Sequence, residues 1–286
     1  MIRFTSAGAV QSPTTLQVRV DRTFTDRVVA GAPSPSRAMT ATEVLAAVRA
    51  FTIGSSGPRS HPCKQLVLSG VRSEGLAELP GVCEQGRAWG IERITVHAGP
   101  SQVAALVASG LPAQVDAVAF TVREPADVDA LEPLAGLFRT AVVLLDAAAL
   151  GSLDATVGAL ERVRPERAVF TWPLPPSAEP PSAARVAEAI AAVAVPGRLA
   201  QVPWGIKGLP ACRLDGLADR LWRSANRWYV DAEHQGDAAL LFFPEVLRFA
   251  KSDVCRFCSL DGSCDGAPEA WLRAGLAGSL SPVADG

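Results

Sequence analysis

Short apolar runs of strand character alternate with amphipathic or alanine-rich stretches of helical period along most of this chain, and that alternation leaves few folds open. Strands are expected over Leu16–Val20 (LQVRV), Leu66–Gly70, Ile94–His97, Val115–Val122 (VDAVAFTV), Thr140–Leu145 (TAVVLL) and Ala168–Trp172 (AVFTW). Helices are expected over TATEVLAAVRAF with Thr40 or Thr42 as N-cap, from about Leu76 to Trp89, around Gln102–Ala108, after Pro125, over Ser152–Val163 and over SAARVAEAIAAVA. A seventh strand is expected at Leu199–Val202, ending at Pro203-Trp204. Units of this kind give parallel strands covered by helices, and VAF, AVVLL and AVF read as strands buried on both faces. Right-handed crossovers over six βα units predict an α/β fold, an open or closed TIM-like barrel of (β/α)6 units, with a doubly wound open sheet as the alternative. The barrel is assigned to residues 1–203 and a small cysteine-containing extension to 204–286.

Composition sets further bounds. A chain of 286 residues that is 49% hydrophobic and 20% charged has ample material for a core. A formal net charge of −2 shows no basic bias, so no nucleic-acid partner is expected. No run of about 18 apolar residues predicts a membrane span. The stretch MIRFTSAGAVQSPTT lacks a charged region followed by an apolar one, so no secretory signal is expected. A cytoplasmic, reducing setting follows, in which clustered cysteines favour metal over disulfide. No Gly-x-Gly-x-x-Gly follows the first strand, and neither a Gly-Lys-Ser/Thr loop nor a His-Glu-x-x-His or Gly-x-Ser-x-Gly motif occurs.

Three cysteines in VCRFCSLDGSCDG carry the clearest chemistry. Cys255, Cys258 and Cys264 read Cys-x2-Cys-x5-Cys, a spacing that lets two thiolates grip one centre and a third close over it. Flanking Gly262 and Gly266 permit tight turns. Three ligands leave the site one short, and Cys212, in the turn KGLPACRL, is the natural fourth. The group they hold is a [4Fe–4S] cluster or a structural zinc. Zinc sites usually pair two Cys-x2-Cys knuckles, and the single knuckle here favours iron–sulfur. Arg256 and Phe257 are expected to shield the sulfurs. Cys63 and Cys83 read instead as small buried hydrophobes.

Ligands of a parallel barrel bind at the C-terminal ends of its strands. That geometry nominates Ser69, Arg72, His97, Arg123, Asp146 and Trp172 as pocket residues, with Glu124 beside them. Each has a plainer role: His97 as a hydrogen-bonded structural histidine, Arg123 and Glu124 as a solvated loop pair, Asp146 as the N-cap of the next helix. The aromatics Trp222, Trp228, Tyr229, Phe242, Phe243 and Phe249 are expected to pack the tail onto the barrel, or to expose a partner surface at Leu241-Phe242-Phe243.

Six βα units followed by a cysteine tail resemble the radical S-adenosylmethionine (radical SAM) enzymes, whose partial barrel often carries a SPASM or twitch extension with an auxiliary iron–sulfur cluster. The likeness runs from about Leu16 to Leu272. It is best in the tail, at Cys255-x2-Cys258-x5-Cys264, the Cys264-Asp265-Gly266 ending, Trp271, and LPAC ending at Cys212. The segment LVLSGVRSEGLAELPGVCEQGRAWGIERITVHAG is similar to the second and third units of that core. Two family features are missing. The loop after the first strand, DRTFTDRVVAGAPSPSRA, has no Cys-x3-Cys-x2-Cys, and Asp26 there stands among arginines and valines. The family's Gly-Gly-Glu turn reads Ser69-Gly70-Val71-Arg72, and an arginine in place of the carboxylate would repel an ammonium group. Cleavage of S-adenosylmethionine by this chain alone is therefore not expected. The resemblance implies an iron–sulfur protein that assists modification of a peptide or small metabolite, relaying electrons or binding substrate for an active radical SAM partner. The alternative is a non-catalytic binding or scaffold protein with a structural zinc; a third reading is a cluster-independent enzyme whose pocket holds His97 and Arg72.

Overall fold

The computed structural model describes residues 2–4, 13–21, 37–54, 62–174, 180–223, 227–241 and 249–283. Its strands are β1 (Ile2–Phe4), β2 (Thr15–Arg19), β3 (Gln65–Ser69), β4 (Arg93–Ala98), β5 (Ala117–Val122), β6 (Phe138–Leu144), β7 (Arg167–Thr171), β8 (Trp204–Lys207), β9 (Trp228–Val230), β10 (Leu240–Leu241), β11 (Phe249–Ser252) and β12 (Ala267–Pro268). The helices are α1 (Ala41–Phe51), α2 (Leu79–Ala88), α3 (Val103–Ala108), α4 (Pro125–Asp129), α5 (Ala147–Gly151), α6 (Leu153–Val163), α7 (Ala183–Val193) and α8 (Glu269–Arg273).

Strands β2 to β8 lie side by side in chain order, all parallel, with a helical crossover between each pair. A doubly wound sheet would reverse its strand order part-way; this one does not, so the helices stay on one face and the sheet curls. β9 joins β2 in parallel at the other edge, and Leu221 bridges to Ile206 on β8. Residues either side of β9's approach therefore touch both edges, and the sheet comes round nearly to closure. This is the expected partial (β/α) barrel, with six βα units and a seventh strand.

Local chemistry explains the helix starts. Thr40 caps α1 through a capping box with Glu43, whose carboxylate also holds Arg37 at 2.6 Å. Ser182 caps α7 by accepting from Arg185 N at 3.3 Å. The outer face of the sheet buries Leu16, Val18, Leu66, Leu68, Val96, Val118, Phe120, Ala141, Val143, Phe170 and Ile206 under the helices. By the period of two, the alternate residues line the barrel interior.

The seventh strand departs from expectation. It runs over Trp204–Lys207, and the Leu199–Val202 segment expected to form it is turn instead. Gly197 and Leu199 both take positive φ (+90° and +54°), which breaks an extended run. The parallel sheet consequently continues past residue 203, where the extension was expected to begin. β1, which the sequence reading did not anticipate, pairs antiparallel with β11, and β11 with β12, so the tail has its own three-stranded sheet.

Candidate functional site: a four-cysteine cavity and a polar barrel mouth

β8 ends at Lys207 and leads through Gly208-Leu209-Pro210 into a 3-10 turn at Ala211–Arg213 that carries Cys212. Cys255 lies in another 3-10 turn, Asp253–Phe257, directly after β11. Cys258 and Cys264 follow on a loop that returns through Gly266 to β12. Gly266 has φ +83°, and a Cβ there would press on Lys251 Cγ at 2.8 Å and closer still on Ala250 O, so the turn requires glycine. Gly262 sits in open space and meets no such demand.

All four cysteines line one small cavity, together with Pro210, Ala211, Lys251, Asp261 and Leu280. Cys264 Sγ accepts from Ala211 N (3.4 Å) and Gly266 N (3.3 Å), Cys258 Sγ accepts from Val283 N (3.2 Å), and Cys255 Sγ lies 3.4 Å from Ser252 Oγ. Donors aimed at sulfur stabilise thiolate over thiol. Lys251, almost fully buried, adds a cation at the cavity wall and bonds Asp261 Oδ1 at 2.9 Å. Burial nevertheless raises the Cys264 pKa, against the two N–H donors and Lys251. Three backbone N–H groups and the Lys251 ammonium thus face sulfurs of this cavity.

The spread of the sulfurs bears on which group. No three of them lie mutually within 4.8 Å among the described residues. A tetrahedral zinc with Zn–S bonds of about 2.3 Å would hold its sulfurs about 3.8 Å apart. As placed, the four thiols are farther apart than that. Arg256 and Phe257 do not shield them: Phe257 is 69% exposed, with the Arg256 guanidinium 4.7 Å from its ring centroid on the outer surface.

The barrel mouth divides the expected pocket residues. Ser69 and His97 face the interior, between the outward Leu68, Val96 and Ala98. Ser69 is fully buried and accepts from Gln17 Nε2 at 3.2 Å. Arg72 sits at the rim, where its guanidinium pairs with the buried Asp21 at the end of β2. Arg123 is exposed, and its backbone N–H, like that of Glu124, donates to Asp127 at the start of α4. Asp146 caps α5, accepting from Ala148 N and Ala149 N. Trp172 is wholly buried on the outer face, donates to Pro181 O at 2.8 Å and packs against Trp271, which donates to Pro173 O at 2.9 Å. Those two indoles dock α8 onto β7.

Sequence reasoning missed the remaining interior polar groups. Lys207 ends β8, opposite Thr171 in register. Arg227, just before β9, donates to Gln17 Oε1 at 3.0 Å, extending the line Arg227–Gln17–Ser69 across the mouth. Arg227 and Lys207 both face His97: burial first, then these two charges, hold the imidazole pKa down to about 3. Burial and Arg227 lower Lys207 to about 8, with Asp265 opposing. Gln17 was visible in LQVRV as a polar residue on the face opposite Leu16 and Val18. Lys207 was hidden by the misplaced strand, since the rule that nominates strand ends needs the right end.

The other end of the lumen is plugged. The Trp222 ring lies over Gly205, and the Arg167 guanidinium stands 5.2 Å from that ring and 5.2 Å from Phe138, which Arg93 also faces at 5.2 Å. Of the other aromatics, Trp228 contacts Phe51 (centroids 5.6 Å apart), and Tyr229 and Phe249 are buried, as a packing role requires. Phe242 and Phe243, and the loop with Asp26, lie outside the described residues. Cys63 and Cys83 are buried apolar thiols whose pKa values burial pushes up to about 12. Asp231, Glu233 and His234 offer ligand atoms within 4.8 Å of one another, but Asp231 Oδ1 already accepts from Glu233 N, His234 N and the His234 ring. Among the described residues no helix is long and apolar enough to cross a membrane.

No protein-family model matches the chain, and no curated protein matches it. Solved structures similar to it include N-acetylneuraminate lyase from Mycoplasma synoviae (8% identity, 68% of this chain and 62% of that one, TM-score 0.40). Oxaloacetate acetylhydrolase in complex with oxalate is another (12% identity, 73% and 74%, TM-score 0.37). A third is dihydrodipicolinate synthase from Oceanobacillus iheyensis (11% identity, 69% and 61%, TM-score 0.35). The chain spans less than two thirds of the lyase and of the synthase.

Proposed function

We propose that this chain is an iron–sulfur protein of radical SAM descent that no longer generates radicals itself. It assists modification of a peptide or small metabolite, with an active radical SAM enzyme as its partner, in a reducing, cytoplasmic setting. One observation supports this above the others: four cysteines from two segments some forty residues apart converge on one cavity, and backbone N–H groups reach two of their sulfurs.

In this reading Cys212, Cys255, Cys258 and Cys264 hold a [4Fe–4S] cluster, which when bound supplies one-electron transfer. A polynuclear cluster puts its thiolates on separate irons, so its ligands sit farther apart than those of a single ion. Ala211, Gly266 and Val283 direct N–H donors at sulfur and Lys251 offsets thiolate charge; together these raise the reduction potential of a bound group. Trp172 and Trp271 fix the tail against β7. Arg72, bound to Asp21, occupies the turn where the family places a carboxylate for the cofactor amine, which argues against S-adenosylmethionine in this mouth.

Anaerobic reconstitution with iron and sulfide tests the reading. Wild type is expected to take up four irons per chain and absorb near about 400 nm, and Cys255→Ala and Cys212→Ala each to lose most of that absorption. A colourless protein that binds one zinc through the same cysteines would establish the structural-zinc alternative instead.

A further inference from the structure

We propose that a cavity at the start of β8 binds a small molecule with one carboxylate and an apolar body, held by Arg220 and Trp204. The proposal stands apart from the iron–sulfur reading, because this cavity and the cysteine cavity share no described lining residue.

The cavity holds about 560 Å³, within the range of about 300–1,000 Å³ that small-molecule sites occupy. One wall is the turn from α7 into β8, residues 194–203, and the other is built by Gly216, Leu217, Asp219 and Arg220. Trp204 lines it from the sheet, on the outward side of β8 that Ile206 shares. The first wall is held in a strained shape. Leu199 keeps φ +54°, a left-handed conformation uncommon outside glycine. The Glu161 carboxylate fixes it, accepting from Leu199 N at 3.0 Å and pairing with Arg198 at 3.3 Å, while Asp154 holds the same guanidinium. A turn that merely joins helix to strand has no need of that strain, whereas a preformed binding wall does.

Two donors on this cavity lack an acceptor. The Arg220 guanidinium stacks on the Trp204 ring, 4.9 Å from its centroid. Stacking engages the face of the group and leaves the N–H donors around its edge. That side chain makes no hydrogen bond to a described residue, and Asp219 Oδ2, 3.6 Å from Nε, lies beyond hydrogen-bond reach. Trp204 is only 8% exposed, with Phe170 edge-on at 5.7 Å, and its indole N–H has no acceptor among the described residues. The unpaired side-chain atoms sealed away among those residues are Thr171 Oγ1 and Asp231 Oδ2. The Trp204 N–H therefore keeps an opening, and the cavity is what Trp204 faces. A buried indole ordinarily finds a partner. Left without one beside an unbonded guanidinium, it forms half of an anion site.

A carboxylate completes it, one oxygen on the guanidinium edge and the other on the indole N–H. Acetate would leave most of the volume unfilled, and Val195, Val202 and Leu217 on the lining call for an apolar body. Asp219 at the rim repels a second negative charge, which favours a monocarboxylate over a dianion.

The test is calorimetric titration of the full chain with sodium benzoate. Benzamide keeps the ring without the charge, and sodium acetate keeps the charge without the ring; both serve as controls at matched ionic strength. Benzoate is expected to bind with one-to-one saturation, at least about tenfold tighter than either control. Arg220→Gln, at a half-exposed side chain, is expected to weaken benzoate at least about tenfold and to leave benzamide unchanged. Trp204→Phe keeps an aromatic ring but loses the N–H, and is expected to weaken benzoate more than benzamide. Arg220→Gln carries the test alone if Trp204→Phe does not fold. Benzoate no tighter than benzamide or acetate, or wild-type benzoate affinity in Arg220→Gln, would overturn the proposal.

Discussion

Gly205 is where a single methyl group should do most damage to the barrel. A Cβ at this position would lie 2.5 Å from Trp222 Nε1 and closer still to Cε2 and Cδ2. Ordinary non-bonded carbon contacts fall at about 3.5–4.0 Å, so the indole must retreat by about 1 Å or more. It has little freedom to do so. Trp222 N is tied to Ile206 O at 2.8 Å, and the ring carries the Arg167 guanidinium. Overpacking of this kind costs about 1–3 kcal/mol. At about 2–4 °C per kcal/mol, Gly205→Ala should melt roughly 2–12 °C below wild type. Gly86→Ala is the control. Its Cβ would meet Ile91 and Val48 at an ordinary 3.7 Å within α2, so helix propensity should stabilise it by about 0.5–1 kcal/mol. Differential scanning calorimetry of both variants, and of Gly205→Ala in a Trp222→Ala background, completes a cycle. The penalty should vanish to within about 0.5 kcal/mol once the ring is gone. A penalty that persists without the indole would refute the reasoning, because the clash would then not be its cause.

Two further predictions concern titration and reactivity. The folded-state pKa of His97, about 3, lies below its ordinary value, so between about pH 6.5 and 3 the unfolded chain binds a proton that the folded one refuses. Stability should therefore fall as pH falls through that window, by up to about 1.4 kcal/mol per pH unit. His97→Gln should flatten this slope in urea unfolding at pH 7, 6 and 5, and parallel profiles would disprove the assignment. With pKa values near 12, Cys63 and Cys83 should resist iodoacetamide at pH 8 about a thousandfold better than an ordinary thiol, as read by peptide mass mapping. Of the tail cysteines, the partly exposed Cys212 and Cys258 should label in the metal-free chain and be protected after iron loading.

How much of this was legible follows from the range of each signal. The βα order was readable because hydrophobic period is local, and the strand ends at Ser69 and His97 were correct to within a residue. Cys212 was grouped with the other three from its turn residues, the ligand count and the family resemblance, and all four line one cavity. What failed was non-local or depended on one boundary. β1 is three residues whose partner is far along the chain, so no local pattern marks it. The shift of β8 by five residues concealed Lys207, and with it the cationic character of the mouth. Strand ends and helix starts share the same sequence positions, so Asp146 at the end of β6 also caps α5, and the Arg123 N–H donates to Asp127 at the start of α4.

The pairing of Ile2 with Ser252 has a consequence for biogenesis. Translation at about 5–20 residues per second separates the two partners by tens of seconds, during which the leading edge of the small sheet stays unzipped on the ribosome. Assembly of the thiol pocket is thus held back until Ser252 has emerged. A steric block against the first strand should disturb the cysteine cavity even though it sits far from those residues in sequence.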